Sequence, residues 1–431
     1  MNVLSNIAPT LDINPDPRRR LAVTAGRYGL SAAGPIGISG AHFIAAALVF
    51  HSQSPALFGL FSFVMTIVPF AIGAVGALVG APTTIGIRER GFVDARELAT
   101  FQKVNLVIAA FVVAVVSASL VLSGLGALAA IFFGLYGAVM SLRWLGRIYA
   151  FSAQTPVRAT ASDIIYGVIV LGGLGALFFM DRLSMPLIAS TMLAASLVSV
   201  AAFDPGYVRK QLWPSSAGRI ADYAPVWRDL TRWSVLGVAA TEITVNAHAY
   251  FVTFFSGPQA FALLALGSFL MRPASLVLSS LPDLERPVMA RAIGAGTFAP
   301  AYRAVTEFRL AASAVLVGTI ALAVALLIFF PGIILKKGYA LEDAVIVIAI
   351  WSVIMAIRTL RQPDAVFLQA AGLFKPLANA AIKSSIVSLV AVPVLLFAFG
   401  PVPSLLGIVA GDLVMTADIV LLVRRWKRDH G

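Results

Sequence analysis

A chain of 431 residues that is 59% hydrophobic and only 12% charged cannot present a mostly polar surface to water, which excludes an ordinary soluble domain and makes lipid part of its solvent. The formal charge of +12 would suit nucleic acid in a soluble protein, but here the basic residues gather at the ends of apolar runs, and no nucleic-acid partner is expected. With no cysteine and four histidines, the sequence offers no disulfide, no thiol chemistry and no imidazole-rich metal site.

Residues 1–27 hold Asp12, Pro15, Asp16 and Pro17 ahead of Arg18, Arg19 and Arg20, with no long apolar stretch before the arginines, and read as a cytosolic N-terminal tail rather than a cleaved signal peptide. Twelve apolar runs follow, near 28–50, 57–80, 104–123, 125–145, 161–180, 184–203, 233–255, 259–280, 308–331, 343–360, 377–398 and 402–423. Each is long enough to cross a hydrocarbon layer of about 30 Å as a helix and too long for a barrel strand. The fold class expected is therefore an all-α polytopic membrane protein. The first six runs make an N-lobe, 28–204, and the last six a C-lobe, 233–423. Between them, residues 205–232 form a cytosolic linker whose Trp213 and Trp227 sit at the headgroup level, and residues 424–431 form a cytosolic tail. Residues 88–103 mix charge with Phe92, Val93, Leu98 and Phe101, and read as a short surface helix or a plain loop.

Charge sets the direction of the crossings. Placing the twelve runs alternately puts only Arg182, Lys336 and Lys337 of the 32 lysines and arginines on one side, so the other side is the cytosol and both termini lie there. The protein is thus expected to cross its membrane many times; the resemblance given below implies that this is a bacterial inner membrane.

An internal repeat agrees with the division. Arg27-Tyr28-Gly29-Leu30 opens the first half and Arg232-Trp233-Ser234-Val235 the second, while Ser54-Pro55-Ala56-Leu57-Phe58-Gly59 is echoed by Gly257-Pro258-Gln259-Ala260-Phe261-Ala262 at nearly the same spacing. Six spans per half preserve the direction of each half, as parallel repeats about an axis along the membrane normal require.

Polar residues within the apolar runs are the candidate site. Glu242 and Asn246 share a face of span 7, His248 looks elsewhere, and span 8 carries Arg272 just before Pro273. Counted from the cytosolic ends, Glu242 and Arg272 lie at a similar depth, roughly 14 and 12 Å. Two readings stand side by side: Arg272 attracts a phosphate in a cavity with Glu242 and Asn246 beside it, or Arg272 and Glu242 form a structural ion pair locking spans 7 and 8. His42, alone on span 1, reads as a hydrogen-bonded core histidine or a proton switch facing the cavity. Asp412, in span 12, is a candidate to carry a coupling proton or cation, or to neutralise a basic residue of another helix; Asp418 is read as packing. Pro35, Gly34 and Gly37 would loosen span 1, and Pro273 would kink span 8.

No GxxxxGK[ST] segment grips a nucleotide, no HExxH occurs, and no serine has a His and acid placed for acyl transfer, so neither ATP hydrolysis nor enzymatic catalysis is expected, nor any cofactor.

The pattern resembles the multidrug/oligosaccharidyl-lipid/polysaccharide (MOP) exporter superfamily, in its polysaccharide-biosynthesis flippase branch. The similar passages are Arg27-Tyr28-Gly29, the Phe58-Gly59 turn, the region from Arg143 to Arg158, and Arg232 to Gly296 with Leu236-Gly237, Tyr250-Phe251-Val252, Gly257, Pro273 and Pro287-Val288-Met289. The resemblance implies a MATE-like V of two pseudo-symmetric six-helix lobes, twelve transmembrane helices in all. It implies the passage of a polyprenyl-pyrophosphate-linked oligosaccharide between leaflets, for exopolysaccharide, capsule or O-antigen, with membrane lipids, a polysaccharide polymerase and export machinery as partners. It makes Arg272 the phosphate-binding candidate, with Arg143, Arg147 and Arg358 nearer the cytosolic rim. The departure is that spans 1 to 4 contain no Asp or Glu, unlike drug-exporting relatives. A cation-coupled small-molecule or drug antiporter is the alternative, and a membrane assembly component without transport a third reading.

Overall fold

The computed structural model describes residues 34, 37–90, 93–152, 155–203, 205–212, 218–334 and 339–430. Arg18, Arg19, Arg20, Arg27, Tyr28, Gly29, Pro35, Trp213, Pro214, Lys336 and Lys337 fall outside these residues, so the readings placed on them have no structural counterpart.

All regular structure in the described residues is helical. In chain order the main helices are α1 (Gly37–Ser52), α2 (Pro55–Val75), α3 (Ala95–Leu122), α4 (Ala127–Ser152), α5 (Pro156–Phe179), α6 (Met185–Val200), α7 (Arg232–Phe255), α8 (Pro258–Leu270), α9 (Arg272–Gly294), α10 (Phe298–Phe329), α11 (Leu341–Ala370), α12 (Phe374–Phe399) and α13 (Pro401–His430). Among the described residues, nine helices are long and apolar enough to cross a membrane, or ten when the bent pair α8–α9 counts as one. The other two expected spans, α1 and α6, are shorter; α6 has 16 residues, about 24 Å of rise.

Local sequence explains where the helices begin. Ser54 caps α2 by accepting from the Leu57 amide, and Pro55 occupies the first turn, where its missing N–H costs nothing. The repeated Gly257-Pro258 starts α8 with the same proline in the first turn but no side-chain cap, Gly257 standing at φ 85°. Gly400, at φ 94°, turns the chain from α12 into Pro401 of α13.

Three boundaries differ from the sequence reading. Residues 95–103 are the first turns of α3 rather than a separate surface helix, and residues 81–90 continue from α2 through a π-helical turn, Gly76–Gly80. The 424–431 tail is helical through His430, because α13 runs on without a break. The linker, expected to lie on the membrane surface, clasps the ends of other helices. Tyr223 donates its hydroxyl proton to the Leu78 carbonyl at 2.6 Å, the Lys103 ammonium bonds the Gly218 carbonyl, and Arg96 pairs with Asp222 at 3.0 Å. The backbone N–H of Arg219 and the Arg96 guanidinium hold the exposed Asp222 carboxyl below the usual carboxylate range.

Lipid is as apolar as leucine, so close packing and polar contacts hold these helices together rather than escape from water. The two halves meet where α2 packs on α7 and α8. At that seam a Cβ on Gly59 would lie 1.8 Å from the Pro258 carbonyl oxygen and 3.2 Å from the Ala262 Cβ, so only glycine allows this approach. The repeated segments of the two halves are thus packed against each other. A second close approach joins α12 and α13, where a Cβ on Gly407 would sit 2.6 Å from the Val392 amide nitrogen.

Candidate functional site

Along α2 the phenylalanines at 58, 61 and 63 point inward, and all are almost fully buried. Where α1, α2 and α8 converge they leave a cavity of about 90 Å³ between the two halves of the chain. Its polar lining is His42, Ser62, Thr66, Ser268 and Arg272, with no Asp or Glu among the described residues; its aromatic lining includes Phe43 stacked on Phe269 at 4.6 Å.

Arg272 reaches this cavity because the chain breaks there. The helix stops at Leu270 and restarts at Arg272 with Pro273 in its first turn, and the two pieces meet at 57°, the bend expected of Pro273. Arg272 forms no ion pair among the described residues. The expected pairing with Glu242 is absent: Glu242 accepts from Asn246 Nδ2 at 3.1 Å and from the Tyr250 hydroxyl, three groups on one face of α7. None of the three lines the cavity that holds Arg272. Similar depth was the wrong guide, because depth along two helices says nothing of the direction in which their side chains point.

His42 Nε2 lies 2.7 Å from the Tyr166 hydroxyl, itself 3.0 Å from the Tyr136 hydroxyl. Both tyrosines are fully buried. This network leads directly to a buried ion triad, since the Arg143 guanidinium stands 5.1 Å from the centre of the Tyr166 ring. Arg143 meets Asp163 at 2.6 Å and Ser162 at 2.9 Å, and Arg147 meets the other Asp163 oxygen at 3.0 Å. Arg143 is 1% exposed. Arg143 and Arg147, expected nearer the cytosolic rim, both lie inside α4, four residues apart on one face, where one carboxylate of α5 neutralises them. Unpaired, such charges in lipid would each cost several kcal/mol.

The second half has a triad of the same composition. Asp412 of α13, with no exposed surface, binds Arg358 at 2.8 Å and Arg361 at 2.9 Å, both from α11. Arg358 is thus tied within its half, and Asp412 has two cationic partners rather than an open site. Asp418 pairs with Lys383 at 3.0 Å near the surface. His248 is buried against Trp351, ring centres 5.5 Å apart. Sequence reasoning missed Asp163, Tyr136, Tyr166 and Arg361. The available signal was an aspartate just inside an apolar run, opposite two arginines at helical spacing.

No protein-family model matches this chain, and no curated protein matches it. Solved structures do. The lipid II flippase MurJ in an inward closed conformation superposes with a TM-score of 0.68 at 13% identity, over 92% of this chain and 87% of that one. A MATE family multidrug resistance transporter of the MOP superfamily matches in its inward-facing conformation with a TM-score of 0.63 at 12% identity, over 94% and 95% of the two chains. An outward-facing MATE transporter of the same superfamily gives 0.59 at 12%, covering 97% of each. The fold resembles that of these solved structures. At this level of identity the likeness concerns architecture, and the all-α, polytopic character read from the sequence holds.

Proposed function

We propose that this protein is a membrane transporter that moves an amphiphile with an anionic headgroup, of the lipid-linked oligosaccharide or polysaccharide repeat-unit type, between the leaflets of a bacterial inner membrane. The observation that carries the reading is Arg272: a guanidinium without a carboxylate partner among the described residues, in a cavity between the halves that no acidic residue lines. A cation so placed is compensated when a phosphate enters, and a charged glycan head cannot cross hydrocarbon unaided while its polyprenyl tail can stay in lipid. The cavity as it stands, about 90 Å³, is too small for an oligosaccharide head, so passage requires the halves to part. We assign twelve crossings to the chain, with α1 and α6 as short spans, lobes at 28–204 and 233–423, both termini cytosolic and alternating access between the lobes. Exopolysaccharide, capsule or O-antigen synthesis is the setting, with a polymerase and export machinery downstream.

A second reading, cation-coupled antiport of a small molecule or drug, draws on two observations. Two of the three structural relatives named above are MATE transporters, and the phenylalanines around the cavity suit a hydrophobic cation. The number of such relatives favours this reading; the charge in the cavity favours the first, because Arg272 repels a cationic drug.

Reconstitution decides between them. Proteoliposomes loaded with fluorescent polyprenyl-pyrophosphate oligosaccharide should show protein-dependent movement between leaflets that Arg272→Gln abolishes. Proton-driven or sodium-driven uptake of a cationic dye, with no movement of the lipid-linked glycan, would establish antiport instead.

A further inference from the structure

The two arginine–aspartate triads have the same composition but different surroundings. In the first half, no nitrogen of Arg143 or Arg147 is buried without a hydrogen-bond partner. In the second half, Arg358 Nη2 and Arg361 Nε are both buried and unpartnered, although Asp412 holds another nitrogen of each. Arg361 is 8% exposed.

Both side chains border a cavity of about 290 Å³ in the second half, separate from the one that holds Arg272. Five helices supply it: Thr241 and Thr244 from α7, Ser275 from α9, Gln362 beside the arginines on α11, Ala381 from α12 and Met415 from α13. Among the described residues no Asp or Glu lines the space. Two guanidinium groups against one aspartate leave the triad with one net positive charge, and the donors without partners belong to the groups that carry it. Buried N–H donors of a cation without acceptors are costly, and an anion entering the cavity between the two side chains offsets the net charge that they carry.

We infer that this cavity is a binding site for a small anionic group, a single phosphate or an equivalent oxyanion, distinct from the headgroup cavity at Arg272. The site is separate from the transport reading above and stands without it. Such a group comes either from solution or from an anionic lipid whose head enters between α7, α9 and α11. Occupancy completes the Arg358–Asp412–Arg361 cluster and ties those three helices and α13 together.

The test uses the full chain carrying Arg272→Gln, so that the first cavity contributes no guanidinium, in nanodiscs of zwitterionic phosphatidylcholine. Inorganic phosphate is titrated while thermal unfolding is followed; a ligand that binds only the folded protein raises Tm in a concentration-dependent way. The expected result is a saturable rise in Tm that Gln362→Glu weakens at least about tenfold in apparent Kd, because a near-isosteric carboxylate then occupies the site, about 1.4 kcal/mol for each factor of ten. Should Gln362→Glu fail to fold, Ser275→Asp supplies the same carboxylate from α9. A parallel set of nanodiscs containing phosphatidylglycerol, without phosphate, separates the two sources: stabilisation there alone, lost in the same variants, assigns the site to a lipid headgroup. Absence of stabilisation in both sets, or stabilisation indifferent to the introduced carboxylates, overturns the proposal.

Discussion

Gly59 and Pro258 touch across the seam between the halves, backbone against backbone, with room for nothing larger than a hydrogen on residue 59. Both belong to the repeated segment seen in the sequence, so the repeat that divides the chain also joins its halves. Replacement by alanine puts a methyl group inside the van der Waals radius of a carbonyl oxygen, and neither helix can yield without moving its neighbours. Gly59→Ala should lower the stability of the detergent-purified protein by about 1–3 kcal/mol, and Gly59→Val by more. Thermal unfolding followed by size-exclusion chromatography measures it; an unchanged Tm in both variants would refute the seam.

The triad around Asp163 should behave as a unit. Asp163→Asn leaves Arg143 and Arg147 buried without a countercharge, and a loss of about 3–5 kcal/mol is expected, seen as poor abundance in the membrane. Removing the arginines together with the aspartate, as Arg143→Met, Arg147→Met and Asp163→Leu, should recover much of that loss. If the triple variant is as unstable as Asp163→Asn, the aspartate matters for some reason other than charge.

Arg272 and Glu242 should be independent. Because Glu242 bonds Asn246 and Tyr250 on its own helix, the effects of Arg272→Gln and Glu242→Gln on stability should add within about 0.5 kcal/mol. Rescue of one by the other would mean that the two charges meet in some populated conformation. For transport, Arg272→Lys should keep more activity than Arg272→Gln, since the positive charge remains.

Acid should loosen the linker. The carboxyl of Asp222 titrates lower in the folded protein than in the unfolded chain, so the stability it contributes is fully present above the ordinary carboxylate range and is lost as pH falls through its depressed folded value. Hydrogen exchange of residues 218–231, corrected for intrinsic rates, should rise in that acidic window. In Asp222→Asn it should already be raised at neutral pH and insensitive to acid. An equal acid response in the variant would assign the effect to another group.

Orientation is checked from either side of the membrane. Single cysteines at Arg219 and Arg182 should react with an impermeant maleimide from the cytosolic and periplasmic faces respectively, and the reverse pattern would invert the assigned topology.

The helical architecture was readable because apolar length is a direct requirement of lipid, and the bend of span 8 because Pro273 cannot continue a helix undisturbed. Asn246 beside Glu242 followed from helical spacing; Tyr250, two turns from Glu242, obeys the same rule and was overlooked because a tyrosine in an apolar run looks like packing. The triads were hidden for a different reason. Arg143 and Arg147, at and just past the expected end of span 4, look like cytosolic residues, whereas a charge with a buried partner does not end a helix at all. The supposed contact of Arg272 with Glu242 failed because linear distance from a membrane face fixes height but leaves azimuth free, and the break at Met271 turns the second helix away.

That break gives Arg272 an unusual mechanical position. Hydrogen bonds from Met271 N to the Gly267 carbonyl and from Ser275 N to the Met271 carbonyl hold the backbone on both sides of the joint, so each helix keeps its bonding up to the bend. A guanidinium on the first residue past the bend, with no carboxylate partner among the described residues, takes its position from the angle between the two helices. The position of the cavity's positive charge is thereby geared to the angle between α8 and α9.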